Sequence, residues 1–592
     1  MKTMKKLAAV ALALACAHAL AAADAAETKK LHALFDSQWE TQAREFPELS
    51  TFRGDYRYND RLSDRSPAAR AAYDAKERDW LRQARAIRRD KLSPTDKVSL
   101  DIFVHQQGEA VEEHAFKGYR SMLIGALDGA QTQAADLARQ VPMEKAAQAQ
   151  QFLKRFAAYP KYVDEQIVQM REGAAVGWVP AKGVLERALA QLDDQLAMKA
   201  DDSPWFAPFK KLGADVTAAE RDRLQAAARE AIPRDVVPPL RKLRAFIVTE
   251  LVPRAPENGA LRNYPDGAKV YDYLVRSRTT TNLKAEQVHA IGMRELAAIR
   301  KDMEGVMQQV KFEGSFPQFV QYLNTDPRFF YKDNDGNEML EGYRAIGKRI
   351  DAELPRYFAE LPRAPYGVRA MPTYKGPDAA EYYDQPAMDG SRPGYFNANV
   401  MGLNAKPKWA MATLTAHEAV PGHHLQTARS QEMGTLPKFR RMSWFVAYGE
   451  GWAVYGERLA REMGIFDNDP YSLFGHLQWQ AFRAARLVVD TGIHSMGWSR
   501  QQAIDFMVER TGVDRNFVSS EVDRYTSDPG QALGYMIGAL KIGELRQSAK
   551  ARLGDKFEVR RFHNVVLDSG PVPLDVMEKL VDEWVAKEAA RR

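Results

Sequence analysis

The stretch Thr415-Ala416-His417-Glu418-Ala419-Val420-Pro421-Gly422-His423-His424-Leu425-Gln426 decides how the rest of this sequence is interpreted. It holds three of the chain's 11 histidines and a glutamate within eight consecutive residues. In a plain His-Glu-x-x-His motif, the two histidines lie on one helix face and bind one zinc ion, and the glutamate acts on water held there. Here two residues, Pro-Gly, are inserted before the second histidine. The stretch therefore predicts a modified zinc motif, and chance surface histidines on an ordinary helix are the alternative.

The identity of the second histidine ligand depends on Pro421. A proline at this place removes the backbone hydrogen bond to residue 417 and clashes with its carbonyl, so the helix must kink or bulge. If Pro421 and Gly422 are looped out, His423 takes the i+4 place, and we expect it to be the second ligand. His424 returns to the face of His417 but lies about 10.5 Å further along the axis. We expect His424 to support the site or face the substrate, and it stays the alternative ligand.

A catalytic zinc site uses three protein ligands and keeps one position open. Glu450 follows His423 by 27 residues, within the apolar and aromatic segment 444–459. A carboxylate in such a segment is costly unless it is paired or bound to metal. We therefore predict Glu450 as the third ligand, with a buried ion pair to an arginine as the alternative. Glu457, near the charged end of the segment, is expected to be solvated or salt-bridged and not to hold the metal.

Length and composition indicate a globular protein with ample core. The chain has 592 residues, of which 45% are hydrophobic and 27% charged. Lysine and arginine number 84 against 78 acidic residues, a net charge of +6, and part of this excess lies in the first 23 residues. No basic stripe with interleaved aromatic residues is present. The sequence therefore does not predict a nucleic-acid partner.

The N-terminus is typical of a secretory signal. Two lysines precede the apolar run 7–20, and small residues follow before Asp24. We predict a signal peptide at residues 1–23 and an exported protein, periplasmic or extracellular. The run is too short to span a membrane, and no later stretch reaches 18 apolar residues. Cys16, the chain's one cysteine, leaves a lipid anchor as the alternative.

Hydrophobic periodicity predicts a mainly α fold over most of the chain. Ser93-Pro94 is typical of a helix start, with serine as the cap and proline in the first turn. We divide the chain into an N-terminal helical part, 24–270, and a catalytic helical part, 271–592. Prolines, glycines and tyrosines interrupt the helical pattern around 361–400 and predict a small sheet or hairpin beside the site. Such an edge holds a peptide backbone by strand addition, and a purely structural connection is the equal alternative.

Taken together, the motifs resemble a bacterial family catalogued as domain of unknown function 885, over about residues 30–585. The motifs that carry this resemblance are His417-Glu418-x-x-Pro421-Gly422-His423-His424, Glu450-Gly451-Trp452-Ala453, the run Arg486–His494, Pro529-Gly530-Gln531-Ala532-Leu533 and Pro573-Leu574. That family is similar to helical zinc peptidases of the angiotensin-converting-enzyme, thimet-oligopeptidase and Taq-carboxypeptidase type. The resemblance implies a large helical zinc-peptidase-like fold with a small β element next to the cleft.

The resemblance also implies residue roles. It places one zinc ion on His417, His423 and Glu450, makes Glu418 the general base, and assigns Tyr535 to the tetrahedral intermediate. From the sequence we expect an exported metallopeptidase that hydrolyses short peptides, with exo- or endo-action left open.

Further candidate roles come from the motifs around these residues. We expect Tyr535 or His494 to stabilise the oxyanion. Arg486 or Arg392 is expected to hold a substrate carboxylate, although internal salt bridges are the simpler interpretation of both. Asn397, in the predicted edge segment, is a candidate substrate-binding residue.

Two other functions are compatible with the same motifs. One is a zinc hydrolase that acts on a non-peptide amide. The other is an envelope binding protein whose metal is structural. Glu418 argues against the structural metal, because a closed site has no use for a carboxylate beside its first ligand.

Overall fold

Helices make up most of the regular structure, so the predicted mainly α class is confirmed. The computed structural model describes residues 2–331 and 336–591, with side chains from residue 24 onward. The helices are α1 (Lys2–Glu45), α2 (Pro47–Arg53), α3 (Pro67–Arg85), α4 (Pro94–Glu113), α5 (Gln133–Ala138), α6 (Ala146–Ala175), α7 (Lys182–Ala197), α8 (Ala218–Ala231), α9 (Val237–Phe246), α10 (Gly267–Thr279), α11 (Ala285–Gln309), α12 (Phe316–Thr325), α13 (Asn337–Tyr357), α14 (Met411–Glu418), α15 (His423–Glu432), α16 (Lys438–Arg441), α17 (Val446–Glu462), α18 (Pro470–His494), α19 (Arg500–Thr511), α20 (Arg515–Ser527), α21 (Leu533–Leu553), α22 (Val559–Leu567) and α23 (Leu574–Ala590).

The start of α4 follows from its first residues. Ser93 is extended, and its hydroxyl accepts a hydrogen bond from the backbone N–H of Asp96, while Pro94 occupies the first turn. Serine satisfies a helix N–H that has no partner within the helix, and proline needs none there. The helix start predicted at Ser93-Pro94 is confirmed.

The segment around 361–400 forms a small sheet, as predicted. Its strands are β1 (Tyr366–Ala370), β2 (Tyr382–Asp384) and β3 (Gly394–Ala398), in the order β1-β3-β2. Strand β3 runs parallel to β1 and antiparallel to β2. Phe396 of β3 is fully buried against Tyr343 of α13. The sheet is thus attached to the helical body through its central strand.

The apolar residues form two large cores. One lies within residues 124–251. The other joins α1, α3 and α4 to α10, α11 and the helices from α14 to α23. The first helices of the chain therefore pack with the C-terminal part, which carries the candidate site. The division at residue 270 stays a prediction.

Among the residues that the structure describes, no helix is both long and apolar enough to cross a membrane. The predicted signal segment, residues 1–23 with Cys16, lies outside the residues whose side chains are described.

Helices α17 and α21 cross at a pair of glycines, and this crossing positions the site. A Cβ added at Gly451 would lie 2.5 Å from the Cα of Gly538, and one at Gly538 would lie 1.8 Å from the Ala447 carbonyl oxygen. Only glycine allows backbones to approach this closely. The crossing brings Glu450 of α17 and Tyr535 of α21 to the same cavity.

Candidate metal centre

The zinc-like motif is split between two helices. Helix α14 ends at Glu418 and α15 begins at His423, with a cis Val420–Pro421 peptide between them. A Cβ at Gly422 would lie 2.0 Å from the His417 carbonyl oxygen, so this turn needs glycine. The indole N–H of Trp452 donates to the Pro421 carbonyl at 2.9 Å. The expected break at Pro421-Gly422 is therefore present, and α17 holds it in place.

The break brings three predicted ligands together. Ligand atoms of His417, His423 and Glu450 all lie within 4.8 Å of one another, and the three side chains are buried. Glu450 Oε2 is 3.5 Å from His417 Nε2 and 3.3 Å from His423 Nε2. We call these three residues the metal cluster.

The metal cluster has the chemistry that zinc prefers. Two imidazole nitrogens and one carboxylate oxygen form a known zinc donor set. Glu450 Oε2 is buried and has no hydrogen-bond partner among the described residues. Burial opposes ionisation of Glu450, but His423 and His417 together hold its pKa well below the ordinary value. A buried, ionised carboxylate oxygen that has no hydrogen bond and lies beside two imidazoles is a suitable ligand for a divalent cation.

A second acidic group has a weaker case. Asp74, Glu77 and His114 also lie within ligand distance of one another, but they are half-buried. Arg120 donates to both carboxylate oxygens of Asp74 at 2.9 and 2.7 Å, and His114 Nε2 bonds Glu77 at 2.7 Å. These partners already satisfy the group, so it does not call for a metal.

Glu457 is salt-bridged, which is one of the two alternatives predicted for it. Its side chain is fully buried rather than solvated, and one oxygen accepts from His417 Nδ1 at 2.7 Å. Gln480 donates to the other oxygen at 2.7 Å, and Arg483 lies 3.4 Å away. Burial raises the pKa of Glu457, but the Arg483 charge and the His417 bond lower it below the ordinary value. Glu457 thus orients His417 so that Nε2 faces Glu450.

Glu418 and Tyr535 lie on the walls of the cavities at the metal cluster. Glu418 is buried, and this burial, together with the neighbouring Glu450, raises its pKa to about 8 against the opposing effect of His423. The Tyr535 ring stacks on the His417 ring, with centroids 6.0 Å apart. Its hydroxyl accepts from Gln531 at 3.3 Å. Both side chains contact the same open space.

Two cavities meet at the metal cluster. The larger has a volume of about 670 Å³ and the smaller about 440 Å³, and His417, Glu418 and Tyr535 line both. His423 and Glu450 line the smaller cavity. The cavities share a further set of residues, which we call the roof: Leu49, Phe52, Glu381 and Tyr382.

Arg392 ties the roof residue Phe52 to the segment after β2, which differs from its predicted role. Arg392 donates to the Gln385 carbonyl at 2.9 Å and to the Phe52 carbonyl at 3.1 Å. The Met388 N–H donates to the Arg53 carbonyl at 3.1 Å. Arg392 lines neither cavity. It joins α2 to the segment after β2 instead of holding a substrate.

His424 and His494 lie away from the metal cluster. His424 bonds Tyr383 through Nδ1 at 2.8 Å and the Ala364 carbonyl through Nε2 at 2.9 Å. His494 bonds the Leu261 N–H through Nδ1 and the Tyr525 carbonyl through Nε2, both at 3.0 Å. Burial lowers the pKa of each to about 4. The expectation of His494 as an oxyanion donor was therefore wrong, because both ring nitrogens are used inside the core.

Asn397 and Arg486 differ in their placement. Asn397 is fully buried in the sheet, where its amide oxygen accepts from Arg139 and Arg369, each at 2.8 Å. It lines neither cavity, so its expected contact with substrate was wrong. Arg486 does line the larger cavity, and it also forms an ion pair with Glu521 at 2.6 Å.

Sequence reasoning missed two residues beside the metal cluster. Arg483 reaches Glu457 from α18, and the sequence carried no signal for this contact because it depends on packing between helices. Trp444 is 44% exposed, lies 5.8 Å from the His423 ring and covers Gly449, where a Cβ would meet its ring at 2.3 Å. The sequence carried no signal for this contact either, because Trp444 and His423 are 21 residues apart and meet only through packing.

Comparisons with known proteins give one family and two similar solved structures. The family model described as "Bacterial protein of unknown function (DUF885)" matches residues 47–581. A solved "putative lipoprotein" from Colwellia psychrerythraea is 28% identical, with a TM-score of 0.89 over 95% of this chain and 99% of that chain. A second one from Shewanella oneidensis, of unknown function, is 17% identical, with a TM-score of 0.67 over 94% and 99%. The second likeness shows the fold alone.

No curated protein matches the chain. The family model covers most of the sequence, so the resemblance to this family is confirmed, while the similarity to helical zinc peptidases stays a prediction. The chain belongs to the bacterial DUF885 family.

Proposed function

We propose that this protein is a zinc-dependent metallopeptidase that hydrolyses short peptides. The observation that carries the proposal is the metal cluster itself, with Glu450 Oε2 buried and without a hydrogen bond between two imidazoles. His417, His423 and Glu450 would hold the ion. A bound zinc ion supplies Lewis-acid chemistry, which makes water a better nucleophile and polarises a carbonyl group.

The neighbouring side chains supply the proton transfers and the charge stabilisation. Glu418 lies where both cavities meet, and a cation held by the metal cluster would favour its ionised form. The carboxylate would then take a proton from the attacking water and pass it to the leaving amine. The Tyr535 hydroxyl, whose ring stacks on His417, is the donor for the developing oxyanion. Glu457 keeps the His417 ring in one orientation throughout.

The shape of the cleft supports a peptide over a small amide. The larger and the smaller cavity meet at the metal cluster and share the roof residues. A peptide that passes along the roof would therefore contact both cavities. A small non-peptide amide would need only one of them. A structural metal is disfavoured, because the cluster offers three ligand atoms and borders open cavities.

We further propose that the protein is exported. The signal-like residues 1–23 support this, and each of the two similar solved structures is described as a "putative lipoprotein". A lipid anchor at Cys16 is the alternative to cleavage after residue 23. Mass spectrometry of the mature protein separates the two, because acylation adds the mass of the lipid to a chain that starts at Cys16.

Metal analysis combined with a peptide-mixture screen tests the enzymatic proposal. We expect about one zinc per chain and cleavage products detected by mass spectrometry. Glu418→Gln should keep the zinc and lose about 10²–10⁴-fold in turnover, because a carboxamide cannot accept the proton. Near-normal cleavage by this variant would contradict the role of Glu418, and a protein that binds no zinc would contradict the proposal as a whole.

A further inference from the structure

Three arginines line the larger cavity close to the metal cluster. Arg483 and Arg486 lie one turn apart on α18, and Arg524 lies on α20. All three border the same space as Glu418. We call them the arginine wall.

Two donors of the arginine wall are buried without a partner. Arg486 donates from Nη2 to Glu521 at 2.6 Å and from Nε to the Tyr525 hydroxyl at 3.0 Å, which leaves Nη1 with no hydrogen bond. Arg483 likewise has a buried Nε without a bond. Both arginines are nearly inaccessible, at 3% and 4% exposure. A buried donor without a partner is costly, so each calls for an acceptor.

The arginine wall also carries more positive than negative charge. Arg524 uses the same carboxylate as Arg486, because both oxygens of Glu521 accept from it at 2.9 and 3.0 Å. Glu457, the acid nearest to Arg483 at 3.4 Å, is bound more closely to His417. The three guanidinium groups thus face two carboxylates, Glu521 and Glu457, and Glu457 is also shared with His417. A buried excess of charge is unfavourable until an anion compensates it.

Other acids on the cavity wall do not compensate this charge. Besides Glu418 and Glu521 they are Glu48, Asp128, Asp136, Glu381 and Asp384. Asp136 is bound to Lys375 at 2.8 Å and Asp384 to Arg369 at 2.7 Å. In the described part of the chain, none of the five forms an ion pair with the arginine wall.

We propose that the arginine wall binds a carboxylate group of the substrate, an inference that rests on the function proposed above. Tyr535 lies between the arginine wall and the metal cluster, since its ring centroid is 4.4 Å from the Arg486 guanidinium carbon and 6.0 Å from the His417 ring centroid. The Tyr535 side chain therefore separates the proposed carboxylate site from the metal cluster. A guanidinium group binds a carboxylate through two parallel bonds, which fixes the substrate's position. The carboxylate is the free C-terminus of a short peptide or an acidic side chain near the cleaved bond.

Four matched peptides distinguish these two sources. They are N-acetyl-Ala-Ala-Ala as the free acid, the same peptide as the C-terminal amide, and the amides of N-acetyl-Ala-Glu-Ala and N-acetyl-Ala-Gln-Ala. Their binding to the Glu418→Gln protein is measured by calorimetry. Bonds to a charged group imply that the preferred carboxylate binds about 10–100-fold more tightly than its amide. Preference for the free acid assigns the C-terminus, and preference for the glutamyl peptide assigns a side chain. Equal affinity for both pairs overturns the inference.

A matched pair of variants locates the carboxylate. Arg486→Gln should remove most of the preference, because the amide side chain has neither the charge nor the fork of donors. Arg441→Gln is the control, since Arg441 lines the smaller cavity and also has a buried Nε without a partner. It should leave the preference unchanged. If Arg441→Gln alone abolishes the preference, the carboxylate lies on the other side of the metal cluster and the inference is wrong. If Arg486→Gln does not fold, the peptide comparison still decides.

The inference and the proposed function fail separately. Cleavage by the zinc-loaded wild type that ignores the carboxylate would leave the metallopeptidase intact and overturn the arginine wall. Carboxylate-dependent binding without any cleavage would support the arginine wall as an anion site and contradict the enzymatic proposal.

Discussion

At the scale of single residues, each ring nitrogen of His417 faces a carboxylate. Nδ1 bonds the buried Glu457, and Nε2 faces Glu450. Carboxylates that orient a ligating histidine raise its basicity and fix its tautomer. The position of one imidazole is thus set by two acids of the same helix, α17.

Removing the charge from Glu457 should weaken zinc binding. We expect Glu457→Gln to lose about 10–100-fold in zinc affinity, because His417 loses its ionised partner. Competition with a chromophoric chelator measures the change. Glu462→Gln is the control, since Glu462 lies on the same helix but pairs with Arg546 at 2.8 Å. Equal zinc affinity in both variants would show that Glu457 has only a structural role.

The two adjacent histidines should behave differently. His423→Ala should release zinc, because it removes one of three ligand atoms from the metal cluster. His424→Ala should keep zinc and lose stability, because its ring bonds Tyr383 and Ala364 inside the protein. Equilibrium dialysis and chemical unfolding of both variants provide the two readouts. Loss of zinc from His424→Ala alone would reverse the assignment.

Asp490 should make stability depend on pH. Its carboxyl is fully buried, accepting from the Tyr271 hydroxyl at 2.6 Å and from the Gly530 N–H, and burial raises its pKa from 3.8 to about 7. Between these values the folded state keeps a proton that the unfolded state has lost. Stability from this group therefore falls as pH rises from about 4 to about 7. The free energy of unfolding of wild type minus that of Asp490→Asn should fall over this range. A constant difference would contradict the prediction.

At the scale of elements, the glycine crossing of α17 and α21 determines the distance between Glu450 and Tyr535. Gly538→Ala would place a Cβ 1.8 Å from the Ala447 carbonyl oxygen, so the helices must separate. We expect a loss of about 1–3 kcal/mol in the free energy of unfolding. Gly543→Ala, on the same helix with no atom within 4 Å of the added Cβ, should instead be neutral or stabilising, by up to about 1 kcal/mol. Urea unfolding of the two variants tests this, and equal stabilities would contradict the tight crossing.

The helices also show which features the sequence predicted and why it could not predict the other contacts. Local chemistry was readable: Ser93-Pro94 starts a helix, and Pro421-Gly422 breaks one so that His423 rather than His424 joins the metal cluster. Partners on distant helices were not readable. Arg458 suggested a polar end for α17, yet Glu457 beside it is buried by residues of α18.

The same limit explains the residues assigned wrongly. Arg392 and His494 are polar residues in distinctive motifs, which is also the pattern of a binding site. In the fold, Arg392 bonds two backbone carbonyls across the roof, and His494 bonds two backbone groups in the core. Sequence patterns cannot separate a polar residue that supports backbone from one that meets a ligand, because only the tertiary partners differ.

At the scale of the whole molecule, the roof borders both cavities at the metal cluster. Phe52 comes from α2 and Tyr382 from β2, and the backbone bonds of Arg392 and Met388 tie these two distant segments together. Under the proposed function, we therefore expect a substrate to enter as an extended chain. We expect an unstructured peptide to be cleaved at least tenfold faster than the same sequence within a folded domain. The two rates are compared by mass spectrometry, with the domain's unfolded form as control, and equal rates for folded and unfolded forms would contradict this expectation.

The tie between α2 and the segment after β2 has a consequence for the protein's surroundings. Under the proposed function, an entrance bordered by these bonded segments would select a target by its conformation before its side chains make contact. Intact neighbours in a crowded envelope would be spared without a dedicated inhibitor or a pro-segment. Fragments from damaged proteins, and peptides imported as nutrients, would be the chains that can enter. Under the proposed function, the fold of the enzyme would then protect folded neighbouring proteins from cleavage, whatever its sequence preference.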